Sequence, residues 1–70
     1  MEQIVGHLAT VSSRIRGGDL PGEVTVRYAG DTHTFLAYAT EPIPLGAEVL
    51  IVGSRGNHQL DVEIWRRPGL

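Results

Sequence analysis

Seventy residues, 41% of them apolar and 20% charged, leave room for one domain with a small core. A chain of this length buries only about 60% of the surface it exposes when unfolded, and without cysteine neither a disulfide nor a thiolate zinc site braces it. Six arginines, no lysine and eight carboxylates give a formal charge of −2, the wrong sign for a domain that draws its affinity from neutralising phosphates.

No run approaches the ~18 apolar residues of a membrane-spanning helix, and Met1-Glu2-Gln3 lacks the basic start of a secretion signal. The expectation is a soluble cytoplasmic domain, residues 1–70 forming one unit with short tails around a folded part from about 5 to 65. Nine glycines and four prolines interrupt every helical spacing, whereas period-two alternation recurs along the chain. The pattern is all-β, with five predicted strands.

The first strand runs from Gly6 to Ile15, with Val5, His7, Ala9, Val11, Ser13 and Ile15 on one parity and Leu8, Thr10, Ser12 and Arg14 on the other. Its length suits a bent strand that serves two neighbours, as barrel closure requires, with Gly6 at the bend. Arg16 to Pro21 is a turn-rich loop.

The second and third strands, Gly22 to Ala29 and Thr32 to Ala39, read as a hairpin. A two-residue turn at Gly30-Asp31 puts Val26 opposite Phe35 and Val24 opposite Ala37 on one face. Arg27 opposite Thr34, and Glu23 opposite Tyr38, fall on the other. Thr40 to Gly46 contains two prolines and is an extended connection rather than a helix.

The fourth and fifth strands, Glu48 to Ser54 and His58 to Trp65, form a second hairpin around Gly56-Asn57. Val49 then faces Ile64, Ile51 faces Val62 and Gly53 faces Leu60, leaving Leu50, Val52, Asp61 and Glu63 outside. The predicted architecture is a small five-stranded Greek-key barrel of the OB type, with the helix between strands three and four absent. A sandwich fragment or an SH3-like barrel stays open from the pattern alone. Val26, Phe35, Ile51 and Val62 are the expected core.

Chemistry-bearing patterns are sparse. His7, His33 and His58 sit on separate strands with no metal-ligand spacing, so no metal or cofactor is expected. No strained Gly-x-Ser-x-Gly turn supports a serine nucleophile. Asp61 and Glu63 share a strand face but not a cleft, and Gly17-Gly18 precede neither a helix nor a lysine. An enzyme is not expected. Arg14, Arg16 and Arg27 are the candidate contacts for single-stranded nucleic acid, an alternative for which the aromatic platforms are few. Leu36, Tyr38, Leu50 and Val52 project outward, and neighbouring apolar side chains of this kind mark a candidate protein-contact face.

The order Gly6-x-x-Ala9-Thr10-Val11, Gly22-Glu-Val24-x-Val26, Phe35-x-Ala37, Pro44-x-Gly46-x-x-Val49-x-Ile51-Val52 and Gly56-x-x-x-Leu60-x-Val62-Glu63 resembles the C-terminal soluble domain of NfeD-like proteins, over about residues 5 to 65. The resemblance implies a non-enzymatic OB-fold module that contacts a protein, by family association a membrane scaffold of the stomatin or flotillin type. It also implies that a parent protein can be membrane-anchored. Self-association is compatible with the same module. No catalytic residue carries over.

Overall fold

The computed structural model describes residues 4–66. Five strands form in the predicted order: β1 (Leu8–Ser13), β2 (Gly22–Tyr28), β3 (Asp31–Tyr38), β4 (Glu48–Gly56) and β5 (Gln59–Ile64). They close into a barrel with neighbours β1-β2-β3-β5-β4, β4 returning to β1. β3 and β5 are parallel and the other pairs antiparallel, the OB arrangement. β1 does serve two neighbours: Leu8, Ala9 and Thr10 pair with β4, and Thr10 to Ser13 with β2. Gly6, at φ 98°, turns the chain into it.

Alternation builds the interior. Ala9, Val11, Val24, Val26, Ala37, Val49, Ile51, Leu60 and Val62 all point inward and are buried. Each branched side chain among them contributes about 1.5–3 kcal/mol of transfer energy. Three residues outside the strands, Ile4, Ile15 and Ile43, complete the core, and Ile15 and Ile43 exchange backbone hydrogen bonds, Ile15 N–H to Ile43 O at 2.9 Å and Ile43 N–H to Ile15 O at 2.8 Å. Among the described residues no helix joins β3 to β4, and the Pro42-Ile43-Pro44 segment brings Ile43 into the core instead.

The turns fall one residue from their expected places. The first hairpin turns on Ala29-Gly30, at φ 54° and 80°, so Val24 faces Phe35 and Val26 faces His33. The expected pairs Val26–Phe35, Val24–Ala37, Arg27–Thr34 and Glu23–Tyr38 are each displaced by two residues. Moving a turn by one residue moves the register by two, so every side chain keeps its face. The second hairpin turns on Asn57-His58, at φ 53° and 60°. Val49–Ile64 and Ile51–Val62 pair as expected, but Gly53 faces Asp61 and Ser54 faces Leu60. Two irregularities in β4 absorb the difference, with Val52 and Arg55 as the extra residues.

Phe35 is the correction to the expected core. It is only half-buried, at the rim, stacked on His58 with centroids 5.5 Å apart. β3 pairs with β5 only from Leu36 onward, so Phe35 has no β5 residue beside it, and the interior closes on aliphatic side chains alone.

Candidate functional site

The four outward side chains do not make one patch, because β5 lies between β3 and β4. Leu36, 40% exposed, faces Gln59, while Tyr38 faces Asp61. On the other side Leu50 faces Glu63 of β5 and Leu8 of β1. Leu8 and Val52 are exposed and Leu50 half-buried, so the apolar row is Leu8–Leu50 with Val52 beside it. Leu8 joins this row only through the β1–β4 pairing, which strand alternation by itself does not reveal.

Tyr38 is not a free platform. The bulge between Ser54 and Gly56 swings Arg55 across the sheet, its guanidinium 3.9 Å from the Tyr38 ring centroid. The same guanidinium donates to Asp61, Nε to Oδ1 at 3.0 Å and Nη2 to Oδ1 at 2.8 Å. The Asp61 hydrogen bond, reinforced by its charge, raises the Arg55 pKa above its ordinary value. Gly53 lies opposite Asp61, and a Cβ there would make only an ordinary contact with Asp61 Oδ2, at 3.6 Å.

Tyr38 and Val52 nevertheless meet in one shallow groove of about 330 Å³, lined also by Gly18, Asp19, Arg55, Asp61 and Glu63. Three carboxylates against one arginine, itself paired with Asp61, make this groove acidic. Leu50 borders a second groove of about 510 Å³ with Ile43, Ile64 and Trp65.

The nucleic-acid candidates are spread out. Arg14 follows Ser13 beside Gly22, whose missing side chain accommodates the Ser13-Arg14 backbone. Arg27 sits at the other end of β2, five residues or roughly 16 Å away at strand spacing. Arg14, Arg16 and Arg27 are all exposed, with Arg27 standing apart from the other two. The outer face of β2 and β3 presents Glu23, Thr25, Arg27, Thr32, Thr34, Leu36 and Tyr38, whose ring is covered by Arg55. The histidines join rings rather than each other: His7 meets Tyr28 edge-on at 5.2 Å, while His33 and His58 flank Phe35.

A family model for the NfeD C-terminal domain matches residues 8–63. The fold is similar to the soluble domain of the NfeD protein YuaF from Bacillus subtilis, with a TM-score of 0.80 and 26% identity over 94% of this chain and 79% of that one. It is also similar to the C-terminal domain of a stomatin operon partner protein from Pyrococcus horikoshii, with a TM-score of 0.73 and 25% identity over 94% of each chain. A comparison with curated protein sequences gives no match. No helix among the described residues is long and apolar enough to cross a membrane. With a family match across all five strands and a barrel of the same topology, the chain belongs to the NfeD C-terminal domain family.

Proposed function

We propose that the chain is a single OB-fold domain that works as a non-enzymatic protein-interaction module, its partner a membrane-scaffold protein of the stomatin or flotillin type. The observation that carries this reading is the outward apolar row Leu8–Leu50 with Val52, edged by the carboxylates of Asp61 and Glu63. Burying such side chains gains about 25 cal/mol for each Å² removed from water, and the acidic rim favours a partner with basic groups around an apolar centre. The name of the Pyrococcus horikoshii relative, a stomatin operon partner protein, supports the choice of scaffold. Leu36 and Tyr38 form the secondary edge of the contact, with Tyr38 already occupied by Arg55.

The alternative, single-stranded nucleic acid held by Arg14, Arg16 and Arg27, draws no support from the dispersed arginines or from the β2–β3 face, whose one ring, Tyr38, is covered by Arg55. The test is a titration of the domain against a purified stomatin-type scaffold protein, with Leu50→Ser/Val52→Ser as the face variant and labelled single-stranded DNA as the control. Saturable scaffold binding, weakened in the variant, supports the module. Tight, steeply salt-dependent DNA binding without scaffold binding replaces it.

A further inference from the structure

Arg55 has no residue opposite it in the sheet. Ser54 faces Leu60 and Gly56 faces Gln59, and Arg55 is the extra residue between them. Bulges of this kind re-aim a side chain, and here the guanidinium is aimed at the Tyr38 ring and the Asp61 carboxylate. Both members of the ion pair are well exposed, Arg55 at 43% and Asp61 at 40%. Exposed pairs and stacks are weak and give way readily to a competitor.

The groove around this contact holds more negative charge than Arg55 answers. Asp19 and Glu63 line it beside Asp61, and among the described residues neither carboxylate has an ion pair or a hydrogen bond. The Arg55 pKa is raised first by the Asp61 hydrogen bond, and the charge of Asp19 adds to the effect, so Asp19 acts on the same place. Most of the remaining lining is apolar, with Ala39, Val52 and Val62. An apolar groove with an acidic rim is complementary to a cation on an aliphatic stem. A ring beside a carboxylate favours guanidinium over ammonium, because a guanidinium stacks and donates at once. Arg55 displays that geometry in place.

We propose that this groove takes an arginine side chain of the partner protein, and that Arg55 is a built-in placeholder which the incoming arginine displaces from Tyr38 and Asp61. The incoming stem lies along Val52, its guanidinium stacks on Tyr38 and bonds Asp61, and Asp19 and Glu63 supply the charge that Arg55 leaves unanswered. Arg55, exposed and outside the ladder, turns to solvent. A place that is filled part of the time binds more weakly by the fraction of time it is free, so Arg55 sets a threshold against stray basic side chains. The proposal rests on the reading of the chain as a protein-interaction module and names the group that the module reads.

Removing a placeholder strengthens binding, whereas removing a structural prop or a contact residue does not. The probe is the peptide acetyl-Leu-Arg-Leu-amide, with citrulline in place of arginine as a neutral control of the same shape. Each is titrated into isotope-labelled domain at low ionic strength and followed by amide shifts. The arginine peptide is expected to move Tyr38, Val52, Asp61 and Glu63 saturably, and the citrulline peptide to leave them in place. Arg55→Ala is expected to bind the arginine peptide roughly fivefold more tightly than the wild type, and Glu63→Gln added to it to return most of that gain. Arg55→Gln, which keeps the stem and loses the charge, is expected to show the same gain should alanine disturb the bulge. Arg55 variants that fold but bind no more tightly than the wild type, or a citrulline peptide that binds as well as arginine, overturn the proposal. The peptide titration decides the arginine site and the scaffold titration decides the module, so each fails on its own result.

Discussion

The Arg55 guanidinium lies over Tyr38, 3.9 Å from the ring centroid, and holds that place through its bond to Asp61. Three strands meet in this contact, because Tyr38 is on β3, Asp61 on β5 and Arg55 on the bulge of β4. The Asp61 hydrogen bond raises the Arg55 pKa further above neutrality, so the guanidinium stays charged at neutral pH. The stacking is expected to shift the Arg55 side-chain protons upfield in NMR spectra, and Tyr38→Leu to return them to ordinary positions with little change in melting temperature. Arg55 protons at ordinary positions in the wild type would remove the stack from the account.

Core and rim separate by burial. Ile51 and Leu60 are almost fully enclosed, so Ile51→Ala and Leu60→Ala are expected to cost about 2–5 kcal/mol each in urea denaturation. Phe35→Ala is expected to cost clearly less, since half-burial leaves less area to lose and a weaker cavity term. Equal losses at Phe35 and Ile51 would place Phe35 in the core after all.

Ala29 holds φ 54° at the first position of a two-residue turn, a conformation that costs a side chain about 1–2 kcal/mol. Asparagine tolerates it and precedes glycine in the favoured form of this turn. Ala29→Asn is therefore expected to raise the melting temperature, with unchanged β2–β3 register by NOE contacts. A lower melting temperature would contradict the turn assignment.

Gly22 has the opposite constraint. Its φ is ordinary, but a Cβ would run into the backbone of Ser13 and Arg14. Gly22→Ala is expected to open the β1–β2 pairing at the bulge between Val11 and Ser13, read as faster amide exchange there and a large fall in stability. Gly18→Ala, whose Cβ would meet nothing within 4 Å, pays only for its φ of 59° and is expected to be much milder. Similar losses at both positions would show that backbone conformation rather than close approach governs Gly22.

What the sequence reveals of this fold is its faces. Val24, Val26, Ala37, Val49, Ile51, Leu60 and Val62 all lie inside, as alternation demands. The turns are less legible, because glycine attracts the assignment: Gly30 and Gly56 do hold positive φ, yet Ala29 and the Asn57-His58 pair do so as well. The family was legible through the spacing of glycines and valines, and the match over residues 8–63 bears that out. The candidate face was legible only in part. Leu50 and Val52 show their outward parity, but Leu8 enters through barrel closure and Arg55 through a bulge, and neither long-range event leaves a local signal. Phe35 falls at the rim for a related reason: parity says which face a residue takes, not where along β3 the pairing with β5 begins.

The central claim, an interaction module working through its apolar row, is tested most directly by residue-resolved NMR titration. Isotope-labelled domain is mixed with a stomatin-type scaffold protein, and amide shifts are followed for every strand. The account expects the largest changes at Leu8, Leu50 and Val52 and their neighbours Asp61 and Glu63, saturating with scaffold concentration. A spectrum unmoved by the scaffold, but shifted at Arg14, Arg16 and Arg27 by single-stranded DNA, would contradict it.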